Sequence, residues 1–339
     1  MDLPLLSRQG VKPNLDIYVN SVTAASITSG GVSSSAYNPG MVLLGSGTQT
    51  VALAATVGGG NISYSAVQDK VIVSGVTGGI CGSSVNGSTW LSLTTGVSNA
   101  TIHYSPDLAL WVAIDGSGTA ISTSPTAVDA TWTSRTASGT AFLINRIFWS
   151  SYFGRFYTGS SNATQRIIQS QDGITWSTQI SSRDMYDIAF SPTLNRLVCV
   201  GNLGPQYSDD GKTWVACVQT NAMSDVTWSS HWKCFVALPR NAPLGIIWRS
   251  VDGVTWTSTV TSFTTNLRAI IWIPELTCFV CTGDNDVNWI SADGFTWRKL
   301  MVTVTALASY GNLFISQWGM YISSGIGQFV RVSPKLYTL

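Results

Sequence analysis

Six tryptophans set the period of this chain. Trp90, Trp132, Trp176, Trp214, Trp256 and Trp297 lie 38 to 44 residues apart. Four of them close the same string. It reads Ser170-Gln171-Asp172-Gly173-Ile174-Thr175-Trp176, then Ser208-Asp209-Asp210-Gly211-Lys212-Thr213-Trp214. It recurs as Ser250-Val251-Asp252-Gly253-Val254-Thr255-Trp256 and Ser291-Ala292-Asp293-Gly294-Phe295-Thr296-Trp297. A fifth copy, Ser84 to Trp90, has Asn86 in place of Asp, and a looser one ends at Asp129-Ala130-Thr131-Trp132. A unit of this size cannot bury its apolar face alone and must stack on copies of itself.

A second pattern precedes each string. Ile188-Ala189-Phe190-Ser191-Pro192 leads through a turn into Arg196-Leu197-Val198-Cys199-Val200-Gly201. Ile62 to Ser65, Ile102 to Pro106, Ile147 to Ser150, Val226 to Ser229 and Ile270 to Trp272 are its partners. Each reads as a first strand, a turn and a second strand, and the Trp string joins a third strand to a fourth. Four strands per forty residues is the arithmetic of a propeller blade. The sequence therefore predicts an all-β propeller of seven four-stranded blades from about 61 to 335, with six or eight blades as the alternatives. The last blade is assigned Leu307 to Tyr310, Leu313 to Ser316, Met320 to Ser323 and Gln328 to Ser333, with its turn string decayed to Ser323-Ser324-Gly325. Residues 41–55 read as half a blade that can close the ring.

In the string, Gly tolerates positive φ, Asp accepts hydrogen bonds from turn N–H groups, and Trp buries a large apolar area. Asn86, Asp172, Asp210, Asp252 and Asp293, with Trp90, Trp176, Trp214, Trp256 and Trp297, are thus read as structural. The tandem Ser-x-Asp-Gly-x-Thr-Trp pattern resembles the Asp-box (BNR) repeat family, over about 80% of the chain. That family includes sialidases, other glycanase propellers, sortilin-type receptors, photosystem assembly factors and many phage and virus proteins. The resemblance implies a scaffold and not one chemistry.

A sialidase, by that resemblance, needs an arginine triad, a Tyr nucleophile paired with a Glu, an Asp acid/base and a Phe-Arg-Ile-Pro-like motif. No such motif precedes the first string. The chain has sixteen Asp but a single Glu, Glu275, placed by Ile273-Pro274-Glu275-Leu276 in a turn between first and second strands. A glycosidase using two Asp stays open. The best pocket is the ring of residues just before each first strand: Asn61, Thr101, Arg146, Asp187, Asp225, Ala269 and Leu307. Asp187 and Asp225 stand in adjacent blades and, with Arg146, form the candidate ligand-binding mouth of the channel. No catalytic set is assigned.

Composition narrows the rest. Charged residues are 10% and the net charge is +1, against a usual charged share of roughly 25%. The scattered Lys and Arg form no basic run, so nucleic acid is not an expected partner. One Asp per blade cannot surround a metal ion, and no cofactor is predicted. Cys278-Phe279-Val280-Cys281 lies on a strand, where its two thiols point to opposite faces. His103 and His231 have no Ser or Cys neighbour forming a triad. Mean hydropathy is +0.21, yet no apolar run reaches membrane-span length. No basic region followed by an apolar core opens the chain, so no signal peptide is read.

Residues 1–60 differ in texture and are assigned as an N-terminal arm ahead of a propeller at 61–339. Leu15-Asp16-Ile17-Tyr18-Val19-Asn20 reads as a strand, and Ser21 to Tyr37 is rich in Ser, Thr, Ala and Gly, a linker composition. In texture the arm resembles the tethers of phage and large-virus structural proteins. The functional expectation is a non-enzymatic structural or attachment protein of a virus particle or surface assembly. Its predicted partners are other virion or assembly subunits through the arm, and host glycans through the propeller. The alternative is a glycan-cleaving hydrolase using Asp residues at the channel mouth.

Overall fold

The computed structural model describes residues 49–52, 61–74, 80–98, 100–136, 144–160, 166–240, 245–263, 265–284, 288–300, 309–315, 317–318, 320–325 and 329–332. Strand β1 is Gln49–Ala52. The first full blade is β2 (Ile62–Ser65), β3 (Lys70–Val73), β4 (Ile80–Ser84) and β5 (Leu91–Thr94). Next come β6 (Thr101–Ser105), β7 (Leu110–Ile114), β8 (Ala120–Ser124) and β9 (Thr133–Thr136). The third blade is β10 (Ile144–Ser150), β11 (Arg155–Ser160), β12 (Arg166–Ser170) and β13 (Ser177–Ile180). The fourth is β14 (Asp187–Ser191), β15 (Arg196–Val200), β16 (Gln206–Ser208) and β17 (Val215–Ala216). The fifth is β18 (Met223–Ser229), β19 (Cys234–Pro239), β20 (Ile246–Ser250) and β21 (Thr257–Val260). The sixth is β22 (Leu267–Ile273), β23 (Cys278–Gly283), β24 (Asn288–Ser291) and β25 (Arg298–Leu300). The chain ends its strands with β26 (Ser309–Ile315), β27 (Met320–Gly325) and β28 (Phe329–Val332).

Every pairing within these sheets is antiparallel between neighbours, in the order first to fourth strand. The first strands touch one another in a closed cycle, with β2 meeting β26, so they line a central channel. A 3-10 turn spans Asp129–Thr131, and among the described residues no helix is long and apolar enough to cross a membrane.

The predicted count needs correction. Seven blades cut consecutively from 61–335 are not what forms: six four-stranded blades are each continuous in the chain, from β2 to β25. The remaining four-stranded sheet is composite, in the order β1-β28-β27-β26. Its outer strand comes from within residues 1–60, and Gln49 pairs with Val332 and Ala52 with Phe329. The predicted strand breaks there also move. Ser309–Ile315 is one innermost strand rather than parts of two, and Ser323 to Gly325 belongs to β27 rather than to a turn. Sequence reading failed here because the Trp string that marks strand four elsewhere has no counterpart after β28.

Burial peaks at the second strands and falls toward the outer edge. Second strands are buried on both faces, as the unbroken runs in Arg196–Val200 and Cys278–Gly283 require. Fourth strands such as β5 and β21 are largely exposed. The core is shared between blades. One cluster joins Val236, Leu238 and Ile247 of the fifth blade to Ile270, Trp272, Phe279 and Trp297 of the sixth. No disulfide reinforces it, and all six cysteines are buried.

The turn between first and second strands recurs as a device. Ser65, Ser105, Ser150, Ser191 and Ser229 each accept the N–H three residues on, at 3.1 to 3.4 Å. The residue before strand two then takes positive φ: Asp69, Ala109, Gly154, Asn195, Lys233 and Thr277, at 47° to 58°. These turns and the Trp strings share one end of the strands. The other end holds the channel mouth read from the sequence.

Candidate functional site: the channel mouth and the turn face

The innermost strand of each sheet has N–H groups with no strand to receive them. Such groups cost free energy if buried unpaired. The chain solves this with side chains of the preceding blade. Asp187 Oδ2 accepts from the Val226 N–H at 2.9 Å, and Asp225 Oδ1 accepts from Ile270 N–H at 3.1 Å. Two residues further along, Ser63 Oγ accepts from Tyr104 N–H and Thr227 Oγ1 from Trp272 N–H, each at 3.2 Å. Sequence reading found the Asp pair but missed these hydroxyls. The signal was weak: the equivalent first-strand position is Ser63, His103 and Thr227 in three blades but Phe148, Ala189 and Ile271 in the other three.

Arg146 ties this layer together. Its Nε lies 3.0 Å from Asp187 Oδ1, and one terminal nitrogen donates to Asp225 Oδ2 at 2.8 Å. The side chain leaves the third blade and engages the fourth and fifth. A bulge in β10 between Ile144 and Ile147 breaks the ladder just where Arg146 stands, and bulges re-aim side chains. The two carboxylates are almost wholly buried, while Arg146 keeps 31% of its side chain exposed toward the channel.

Electrostatics follow the geometry. Burial, then the neighbouring Asp187 charge, push the Asp225 carboxyl well above the usual carboxylate range. Burial also raises Asp187, against the pull of Arg146. For Arg146 burial opposes the charge, but Asp187 and Asp225 outweigh it and hold the guanidinium pKa up. His103, on β6, is lowered to about 4, first by burial and then by the Arg146 charge, so it is neutral at pH 7. Its ring lies 6.0 Å from that of Phe148 on β10. Two buried carboxyls clamped on one guanidinium can hold a proton between them, but neither is open to solvent.

The other predicted mouth residues do not join this cluster. Asn61 is half-buried, and its carbonyl accepts from Ser74 N–H at 2.9 Å. Thr101 is 5% exposed, with no partner for its hydroxyl. Ala269 is buried. Leu307 lies outside the described residues, and the register of β26 puts Gly311 in the place opposite Ser324 that Asp225 holds opposite Leu238.

At the opposite end, the Trp strings form one repeated turn. In each, Ser Oγ receives the Gly N–H and the acidic or amide side chain receives two further N–H groups. For Asp252 those come from Val254 at 2.8 Å and Thr255 at 2.7 Å, and Asn86 does the same for Ser88 and Thr89. Gly253 has φ +75°, and a Cβ there would lie 2.7 Å from a Val198 methyl group. The indole N–H of Trp90, Trp176 and Trp297 closes the loop on the Gly carbonyl at 2.8 to 3.2 Å. Burial works against the charge of these carboxylates, yet the backbone N–H donors hold Asp172 and Asp293 down and Asp210 and Asp252 down to about 2.

The looser copy in the second blade departs from this. Ala127, at φ +50°, takes the Gly place, and its N–H donates to Ser124 Oγ at 2.8 Å. Asp129 leaves the turn altogether and accepts Thr94 N–H of the first blade at 2.7 Å.

No family model matches this chain, and no curated protein sequence does. Solved structures do resemble it. "YCF48 bound to D1 peptide" superposes with a TM-score of 0.66 at 15% identity, over 88% of this chain and 97% of that one. A virginiamycin B lyase from Staphylococcus aureus gives 0.70 at 11% identity, over 85% and 99%. A chain of the mitotic checkpoint complex gives 0.67 at 11%, over 85% and 92%. At these identities the likeness is one of fold, and the fold it establishes is the β-propeller.

Proposed function

We propose that this propeller is a non-enzymatic binding module, a structural or attachment subunit of a virus particle or surface assembly. In this reading it takes a glycan or a protein segment at the channel mouth, and the N-terminal arm is its tether. The observation that carries the non-enzymatic part is the occupancy of the Asp pair. Asp187 and Asp225 each hold both Arg146 and a backbone N–H of the next blade, so they serve blade-to-blade cohesion. The low charge and the Asp-box-like turns support the attachment part, and a propeller solved with a peptide bound supports a protein ligand as well as a sugar.

The full chain on a broad glycan array, with the same glycans in a hydrolysis assay, tests this. Saturable binding without turnover is expected. Turnover that disappears in Asp225→Asn overturns the non-enzymatic reading. One observation favours that second reading: the Asp225 carboxyl, pushed well above the usual carboxylate range by burial and by neighbouring Asp187, has the direction of shift that a general acid needs. An array that stays blank leaves protein as the ligand class, and peptide arrays then decide whether the module binds at all.

A further inference from the structure

The seam between the first and second blades is unlike the others. The Asp129–Thr131 turn makes the β8–β9 connection two residues longer than a regular string, and Asp129 reaches across to Thr94. Between them lies a cleft of about 490 Å³, lined by Lys70, Val85, Leu91, Ser92, Val128 and Asp129. Its apolar members are open to solvent: Val85 is 56% exposed, Leu91 68% and Val128 51%. The cleft floor includes the outer edge of β5. Thr94 already turns its N–H outward to Asp129, so Ser92, two residues earlier, offers its N–H and C=O on the same side. An open strand edge flanked by exposed apolar side chains is a receptor for an added strand.

We propose that Leu15–Asn20 of the same chain docks in this cleft as a strand beside β5. Where the described chain begins argues for this occupant. β1 is the outer strand of the composite sheet, one blade away from the cleft, and 48 residues precede Gln49. Leu15, Ile17 and Val19 alternate with Asp16, Tyr18 and Asn20, which puts three apolar side chains on one face to meet Val85, Leu91 and Val128. Residues 21–48 separate this segment from β1, and that length of chain can reach up to about 90 Å when extended. Tethering of this kind raises the local concentration of the segment to the millimolar range, so a short strand suffices. Docked there, the tether leaves the disc at one defined seam, with the residues before Leu15 directed outward. None of this depends on what the channel mouth binds.

Hydrogen exchange read by mass spectrometry on the full chain tests the proposal. Exchange over residues 15–20 is expected to be slowed about tenfold or more relative to Ile17→Asp. Leu91→Asp, placed on an exposed side chain, is expected to release the same segment. Ile17→Asp leaves the propeller untouched and is expected to speed exchange over Leu91–Thr94, so a folding defect in the Leu91 variant cannot mimic the result. An Ile17→Cys, Val128→Cys pair, in a chain whose own cysteines are buried, is expected to form a disulfide at monomer mass and independent of dilution. Unprotected exchange over 15–20 in the wild type, or indifference to Leu91→Asp, overturns the proposal. A disulfide found only in dimers overturns it too, by showing that the cleft receives the arm of another copy.

Discussion

Carboxylates at the two ends of the blades do opposite work. On the turn face, Asp172, Asp210, Asp252 and Asp293 bond residues two and three places away, and they stay strongly acidic. At the channel mouth, Asp187 and Asp225 are buried, bond residues in the next blade and share one guanidinium from a third. The first kind shapes a hairpin that could be understood alone. The second kind has meaning only in the closed ring. Identical side chains therefore gain acidity where converging backbone N–H groups outweigh burial, and lose it where burial and a second carboxyl outweigh the partners.

The sharpest way to break this contrast is Arg146→Met. It leaves two buried carboxylates without their cation, and a loss of about 3–5 kcal/mol is expected in urea unfolding at pH 7. The deficit should shrink as pH falls toward 4, because protonated carboxyls no longer need the arginine. A variant that unfolds like wild type would mean that the cluster contributes nothing to cohesion.

The next effect is carried by pH. His103 is held neutral to about pH 4 in the folded chain, against about 6.5 when unfolded. The unfolded state binds the proton first, so stability should fall as pH drops from about 6.5 to about 4. Asp225 has the reverse sign: its raised folded pKa favours the native state below the unfolded value and withdraws that support as pH rises. With two histidines in the chain, an NMR titration resolves His103 from His231 directly. A normal titration of His103 near 6.5 would remove it from the channel cluster.

On the turn face the expected losses are smaller. Asp252→Ala should cost about 1 kcal/mol, as loss of a capping side chain does, and Asp252→Asn much less, because Asn86 already performs the same task in the first blade. Thermal unfolding of the two variants side by side checks the ranking. The contribution of Asp210 and Asp252 should persist above about pH 4 and disappear as pH falls through about 2.

The smallest change is a gain. Thr277 is a β-branched residue at φ 48°, and Thr277→Gly should stabilise by a few tenths to about 1 kcal/mol after the entropy of the added glycine is subtracted. A destabilised variant would show that the Thr277 side chain makes contacts worth more than its backbone strain.

What could be read in advance divides along the same line. The Trp strings and their bonds within three residues were legible, because each is a local event repeated in the chain. The mouth positions of Arg146, Asp187 and Asp225 were legible by alignment of the blades, but their clamp was not. It depends on a bulge in β10 and on one side chain crossing a whole blade. The reach of Asp129 was not legible for a related reason: its partner, Thr94, lies 35 residues away in another blade. The composite sheet was legible only in part: residues 41–55 read as half a blade that could close the ring, but β1 carries no repeat signature to fix its partner, and its pairing with Phe329–Val332 joins segments near opposite ends of the chain.

That last pairing has a consequence for how the molecule is made. During synthesis β1 leaves the ribosome first among the described strands and must wait for β28, the last of them. Six blades can zip up behind it in the order of translation, yet the ring stays a crescent until the final strands emerge. Its first and sixth blades remain without one neighbour throughout that interval, which is the period when this chain most needs protection from other nascent chains.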